Sequence, residues 1–211
     1  MTTKQPDQTR QKILEAALWE IYRNGFQRAS IDRILEGTGL TKGALYHHFP
    51  NKMQLGYAVV DEVIGGWILE RWLTPLASHE NPVDGLKETF RLVLAEMPEE
   101  MVCGGCPLNN LVQEMAGVDE GFRQRLEKVL RTWEGGIADR LRQGQAEGTV
   151  RTDLDAQATA SYLVSSLEGM AGTAKATKGH DGLRQVADVY LAVVETLRPT
   201  RTVELEAGAP A

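Results

Sequence analysis

Two groups of residues in this 211-residue chain have types and spacings that could do chemistry. The first is Cys103-Gly-Gly-Cys106, followed at once by Pro107. A C-x-x-C pair admits three readings. It can supply half of a tetrahedral metal site, although no second Cys pair or close His pair completes one. It can be a redox or electrophile switch, because Cys106 sits just ahead of a helix opening at Pro107, where a positive potential favours thiolate. Or the two thiols can line a pocket that binds small molecules non-covalently. The second group runs from Thr41 to His47. Lys42 can donate to guanine or phosphate there, Tyr46 and His47 can reach phosphates or base edges, and Ala44 can touch a thymine methyl. Gly43 allows close backbone approach.

The second group depends on the elements that hold it. Ser30 is a good N-cap, and Ile31, Ile34 and Leu35 then recur at i, i+3, i+4 along a short helix. Gly37 and Gly39 end that helix, Thr41 caps the next from Lys42 to about His48, and Pro50 stops it. Leu45 and Phe49 face inward, so the polar residues face out. Two short helices joined by a glycine-containing turn make a helix-turn-helix, whose second helix enters the major groove. Asn51 caps the following helix, with Gln54 at N3. That places Lys52 in a first turn, where amides and the dipole favour phosphate. The candidate DNA-binding residues are Ser30, Thr41, Lys42, Gly43, Ala44, Tyr46, His47 and Lys52.

From RQKILEAALWEIYRNGF through TGLTKGALYHHFPNK, residues 9–55 resemble the DNA-binding domain of the TetR/AcrR family of one-component bacterial regulators. The resemblance implies that Thr41, Lys42, Gly43, Tyr46 and His47 occupy recognition-helix positions and that Lys52 anchors phosphate. It also implies a two-subunit four-helix bundle and, most commonly, a repressor. Gly105 to Leu111 (GCPLNNL) is similar to the Gly-Cys-x-x-Gly-Asn-Leu segment of one branch of the family, that of the N-ethylmaleimide-responsive and acrylate-responsive repressors. There Cys106 matches the branch cysteine. Asn109 stands where the branch has Gly, and Cys103 is an addition.

Composition fits a soluble cytoplasmic protein. Two cysteines give no disulfide scaffold, no signal peptide is visible, and no apolar run approaches the roughly 18 residues of a membrane helix. Net charge is unevenly placed. Residues 1–52 carry eight Lys and Arg against five Asp and Glu, a net of +3, although the whole chain is −6. Attraction at one end and repulsion at the other would orient the molecule on a duplex.

The rest reads as helix after helix, so the expected fold is all-α with about nine helices. The expected domains are a helix-turn-helix domain over 1–52, an effector-binding and dimerisation domain over 53–198, and a disordered tail over 199–211. A fourth helix is expected from Lys52 to about Leu73, ended by Pro75. A long seventh from Asp119 to about Gln145 has a possible kink at Gly135-Gly136. In the last two helices, Leu183, Val186, Tyr190, Val193 and Leu197 follow 3-4-3-4 spacing. Beside them Val164, Leu167, Met170 and Ala171 form a stripe, and the two are read together as a dimer seam. A two-fold dimer would present its recognition helices about 34–36 Å apart to an inverted-repeat operator. Effector-site candidates are Cys106 and Cys103 with the large apolar residues Trp67, Met101, Trp133 and Tyr162. Phe90 and Met170 are weaker ones, and Glu168 groups with nothing.

The expected function is therefore a homodimeric repressor of double-stranded DNA operators, released by a small organic or electrophilic effector. It uses no cofactor, no metal and no membrane partner. The alternative is a small helical thiol-dependent enzyme built on Cys103 and Cys106, against which no βαβ pattern and no cofactor motif appear.

Overall fold

A computed structural model describes residues 4–177 and 180–200, and among these every regular element is helical. The expected tail lies outside them from residue 201 onward. No helix among the described residues is long and apolar enough to cross a membrane.

A small head forms first. Helix α1 (Lys4–Asn24) turns Ile13, Leu14, Ala17, Leu18 and Ile21 inward, the one-face spacing of an amphipathic helix. Against it lie α2 (Ile31–Leu35) and α3 (Lys42–His48), which contribute Ile34, Leu45 and, just beyond α3, Phe49 to the same core. Three helices of this size bury little apolar surface, so the head depends on what it docks against.

That support is α4, a continuous helical rod over residues 52–77 that leaves the head and enters the body. Two stretches of it, Val59–Ile64 and Leu69–Leu73, are π-helical, with Gly65–Ile68 between them. Such turns bond i→i+5, are wider than α turns, and favour functional positions. The second explains why Pro75 does not end the rod. The Thr74 amide donates five residues back to the Leu69 carbonyl, so the helix has already widened where Pro75 offers no amide, and it continues to Ala77.

The body comprises α5 (Pro82–Glu96), α6 (Glu99–Gly104), α7 (Pro107–Met115), α8 (Glu120–Ala146), α9 (Ala156–Thr177) and α10 (His180–Glu195). Side-chain caps start several of them. Asn81 accepts from the Val83 amide at 2.9 Å, Asp119 from Phe122 at 2.8 Å and Asp155 from Ala158 at 2.6 Å. The short α6 had no apolar periodicity by which to recognise it. Helix α8 runs unbroken through Gly135-Gly136. Gly136 instead admits Leu73, whose Cδ2 lies 2.6 Å from where a β-carbon would stand.

The expected dimer seam needs correction. Val164, Leu167, Met170, Leu183, Tyr190 and Leu197 are buried inside their own subunit, and Ala171 is half-buried. Helix α10 packs on α5, with the Phe90 and Tyr190 ring centroids 4.7 Å apart, so half of its wide apolar arc is used within the subunit. The outward half keeps Val186 (45% exposed) and Val189 (62%), with Val193 half-buried beside them.

Head and body meet at an aromatic joint. Phe26, just after α1, stacks edge-on against Phe122 of α8 at 4.6 Å, and Tyr57 meets the same ring at 5.1 Å. Gly56 lies beneath them: a β-carbon there would stand 2.4 Å from Phe26 and 2.7 Å from Phe122. Gly56→Ala should therefore push the rings apart and lower unfolding free energy by about 1–3 kcal/mol, the usual overpacking cost. Urea unfolding checks this, and an unchanged midpoint would show that the joint yields freely.

Candidate DNA interface and effector cavity

The helix-turn-helix is held by side-chain caps. Ser30 accepts from the Arg33 amide at 3.1 Å and Thr41 from the Ala44 amide at 3.2 Å. Between them Gly37 and Gly39 take φ of +73° and +69°, the left-handed region that suits glycine. The Thr38 hydroxyl donates to the Leu35 carbonyl and accepts from the Leu40 amide, tying the turn to both helices.

On α3, Leu45 is buried while Thr41, Lys42, Gly43, Tyr46 and His47 are exposed and Ala44 is half-buried. Tyr46 is 47% exposed, a large side chain with no core role. Lys42 is held 2.6 Å from Asp32 of α2, an exposed pair that screening makes weak. Two candidates lie differently. The Ser30 hydroxyl oxygen is committed to its cap. Lys52 donates to the Gln27 carbonyl at 3.1 Å and lies 4.8 Å from the Phe26 ring, and burial lowers its ammonium pKa. Lys52 thus sits at the head–body joint as well as in the first turn of α4.

Inside the body, an apolar cavity of about 120 Å³ opens between α4, α5, α6, α7, α8 and α9. It is bordered by Trp67, Met101, Trp133 and Cys106, together with Phe90 and Met170. Tyr162 is not among them, because its place on α9 leaves it 57% exposed on the outer surface. Cys103 is half-buried and does not border the cavity. Both cysteines are free. Among the described residues no cluster of three or more His, Cys, Asp or Glu could hold a metal.

The cavity also holds a residue that sequence reasoning set aside. Glu168 reaches in from α9 and accepts from the Cys106 thiol at 3.2 Å. Its other oxygen, Oε2, is buried with no hydrogen-bond partner. Burial pushes this carboxyl up to about 7, the Cys106 bond opposing only in part. A lone carboxylate within the apolar stripe of α9 (Leu167, Met170, Ala171, Ala174) was the one available sign of it.

Cys106 stands at the N-cap position of α7, but burial first and the Glu168 charge second raise its thiol well above the ordinary range. Amides at the helix start, from Asn109 and Leu108, oppose this and do not win. This direction favours the protonated thiol, and among the three readings of the pair it supports the one in which the thiol lines a pocket.

The cavity wall is also where the head is fastened. Tyr22 of α1 donates to the Gly105 carbonyl at 2.8 Å and lies 3.2 Å from that of Met101. Burial, then the Cys106 and Glu100 charges, push its hydroxyl up to about 12, so it stays a donor. Next to it Arg23 pairs with Glu100 at 2.7 Å. Glu114 of α7 accepts from the Phe26 and Gln27 amides at 2.8 and 2.9 Å, closing the turn after α1.

With this geometry in view, residues 13–59 match the bacterial regulatory proteins of the tetR family, and residues 82–195 match the tetracyclin repressor-like C-terminal domain. The chain belongs to the TetR family. It is similar to an uncharacterized HTH-type transcriptional regulator in the lacX 3' region of Lactococcus lactis, 33% identical over 63% of this chain and 68% of that protein. It is also similar to the transcriptional regulator AcuR of Cereibacter sphaeroides, 30% identical over 75% of this chain and 73% of that one. A TetR transcriptional regulator from Chloroflexus aurantiacus superposes with a TM-score of 0.81 at 26% identity, covering 93% of this chain and 98% of the other. The protein is thus a DNA-binding transcriptional regulator, and the thiol-enzyme alternative falls.

Glu168 gives a stability prediction whose sign is fixed. Its pKa is higher folded than unfolded, so the folded state binds more protons between the two values and stability falls as pH rises from about 4.5 to about 7. Glu168→Gln removes that penalty. Its urea midpoint should exceed wild type by more at pH 8 than at pH 5, and an equal difference at both would place the carboxyl in water.

Proposed function

We propose that the protein is a cytoplasmic homodimeric repressor of an inverted-repeat operator, released when a small organic molecule occupies the cavity non-covalently. The observation that carries this reading is that one backbone segment, Met101 to Cys106, forms both the cavity wall and the acceptor site for Tyr22 of the head. A ligand that displaces this segment changes where the head is fastened. Helix α4 provides the second link, since the cavity is bordered by Ile64, Trp67, Ile68, Arg71 and Trp72, within or between its two π-helical stretches. DNA binding selects one separation of the two heads, and an effector that prefers another shifts the population away from it.

The exposed set on α3 serves as the recognition surface, with Lys42 exchanging Asp32 for DNA. The dimer face is the outward half of α10, Val186, Val189 and Val193, together with Tyr162 on α9, apolar positions left uncovered in the single subunit. The protonated state of Cys106 supports non-covalent occupancy over alkylation.

Fluorescence anisotropy on DNA from upstream of the gene, with excess unrelated DNA, tests the whole reading. Tyr46→Ala should weaken specific binding at least about tenfold, the scale of one good base or phosphate contact. Val189→Glu should convert dimer to monomer in sedimentation equilibrium and abolish cooperative operator binding. Tyr22→Phe should keep operator affinity within about threefold, the scale of one net hydrogen bond, while blunting release by ligand. Release that survives intact in Tyr22→Phe would leave α4 as the only link. Release by electrophiles that disappears in Cys106→Ser, with no non-covalent ligand found, would overturn the non-covalent reading.

A further inference from the structure

Resting on the effector-cavity reading, the chemistry of the cavity narrows what can fill it. Its wall is apolar apart from few groups, and among the described residues the only acidic one is Glu168. One carboxylate oxygen is occupied by the Cys106 thiol at 3.2 Å, and the other, Oε2, is buried without a partner. A desolvated carboxylate with one unanswered oxygen is a strong acceptor, and among the described residues no cation pairs with it. The same cavity is bordered by three indoles, Trp67, Trp72 and Trp133, the last two with ring centroids 4.9 Å apart. Indoles are the best side-chain faces for a cation. The protein already uses one that way, because the Arg71 guanidinium lies 5.6 Å from the Trp67 centroid.

We propose that the effector is a compact organic cation, an alkyl- or arylammonium ion of roughly five to eight non-hydrogen atoms, bound by Glu168 among these indoles. The size follows from the cavity volume of about 120 Å³. An engineered apolar cavity of about 150 Å³ takes up benzene, so a ring or short chain with one polar head is what fits. An ammonium donates directly to Oε2, and its charge offsets the carboxylate's desolvation. A neutral alcohol supplies the hydrogen bond alone. A carboxylate places like charge against Glu168, while the one cationic side chain bordering the cavity among the described residues, Arg71, is exposed. The other ionisable group facing Glu168 is Cys106, which stays protonated and keeps its bond to Oε1.

Isothermal titration of the full-length protein tests this with n-butylammonium and benzylammonium, their neutral isosteres 1-butanol and benzyl alcohol, and the anions butyrate and benzoate. Each ammonium should bind at least about tenfold more tightly than its alcohol, the effect expected when a buried carboxylate gains its counter-charge. Binding should ionise Glu168. Titrations in two buffers of different ionisation enthalpy should then show close to one proton released per ligand near pH 6 and close to none at pH 8.5. Glu168→Gln, which retains an acceptor for Cys106, should cost the ammonium ions at least about tenfold while changing alcohol affinity by less than about twofold. Trp67→Leu should show the same selective loss.

Tighter binding of the anions, ammonium affinity unchanged by Glu168→Gln, absence of proton release at pH 6, or binding by none of the six probes would each overturn the cation assignment. The effector reading fails separately. If an alcohol or carboxylate fills the cavity and lowers operator affinity, that reading stands and only the ligand class is wrong.

Discussion

The arrangement depends on how a head with too little core of its own is seated on a large body. Three helices, two of them short, cannot fix their orientation by burial alone, so the seating contacts decide where α3 points. These are of two kinds. Phe26, Phe122 and Tyr57 interlock over Gly56 and give the joint apolar area. Tyr22, Glu114 and Arg23 then place backbone carbonyls, backbone amides and a carboxylate in directed bonds. Apolar contacts tolerate sliding, whereas bonds of 2.7–2.9 Å do not. The directed bonds therefore set the angle of the head, and the acceptor of one of them, the Gly105 carbonyl, lies on the segment that walls the cavity.

Under the proposed function, that placement would turn a local event into a rigid-body one. On the proposed reading, a ligand acting on Met101 to Cys106 would move the Gly105 carbonyl, to which Tyr22, near the end of a 21-residue helix, is bonded. On the same reading helix α4 is a second route, with π-helical turns on either side of Gly65–Ile68 where the rod borders the cavity. A π turn differs from an α turn by one residue of register, so a small push at Trp67 or Trp72 can be absorbed as a change of register or passed on as rotation. Two parallel links explain how a cavity with room for only a small molecule could govern a surface on another part of the chain.

Much of the head was legible because its determinants are local. Ser30, Thr41 and Asn51 cap their own helices, the two glycines occupy the turn, and Leu45 faces inward by helical spacing, so short-range physics sufficed. The body was legible only as helices. Spacing along α10 marked Leu183, Tyr190 and Leu197 as apolar, but which half of a wide arc faces inward depends on where α5 lies, and a single strand of sequence does not carry that. Cys106 shows the same limit. Its position at the start of α7 follows from Pro107, but what raises its thiol does not: the apolar wall that removes water, and then Glu168, 62 residues later, come from elements distant in sequence.

Glu168 also illustrates why a residue that fits no pattern can be the informative one. A carboxylate on an apolar stripe lowers stability at neutral pH, and a Gln or Leu would pack there at lower cost. Nothing in the fold requires the charge: Cys106 needs only an acceptor, and no described cation pairs with Glu168. A structural explanation would predict a saturated hydrogen-bond shell, yet Oε2 has none. Local rules are broken mainly where function needs them broken. A destabilising, half-satisfied acid in the chamber that borders both links to the head is better accounted for by something that binds than by anything that folds.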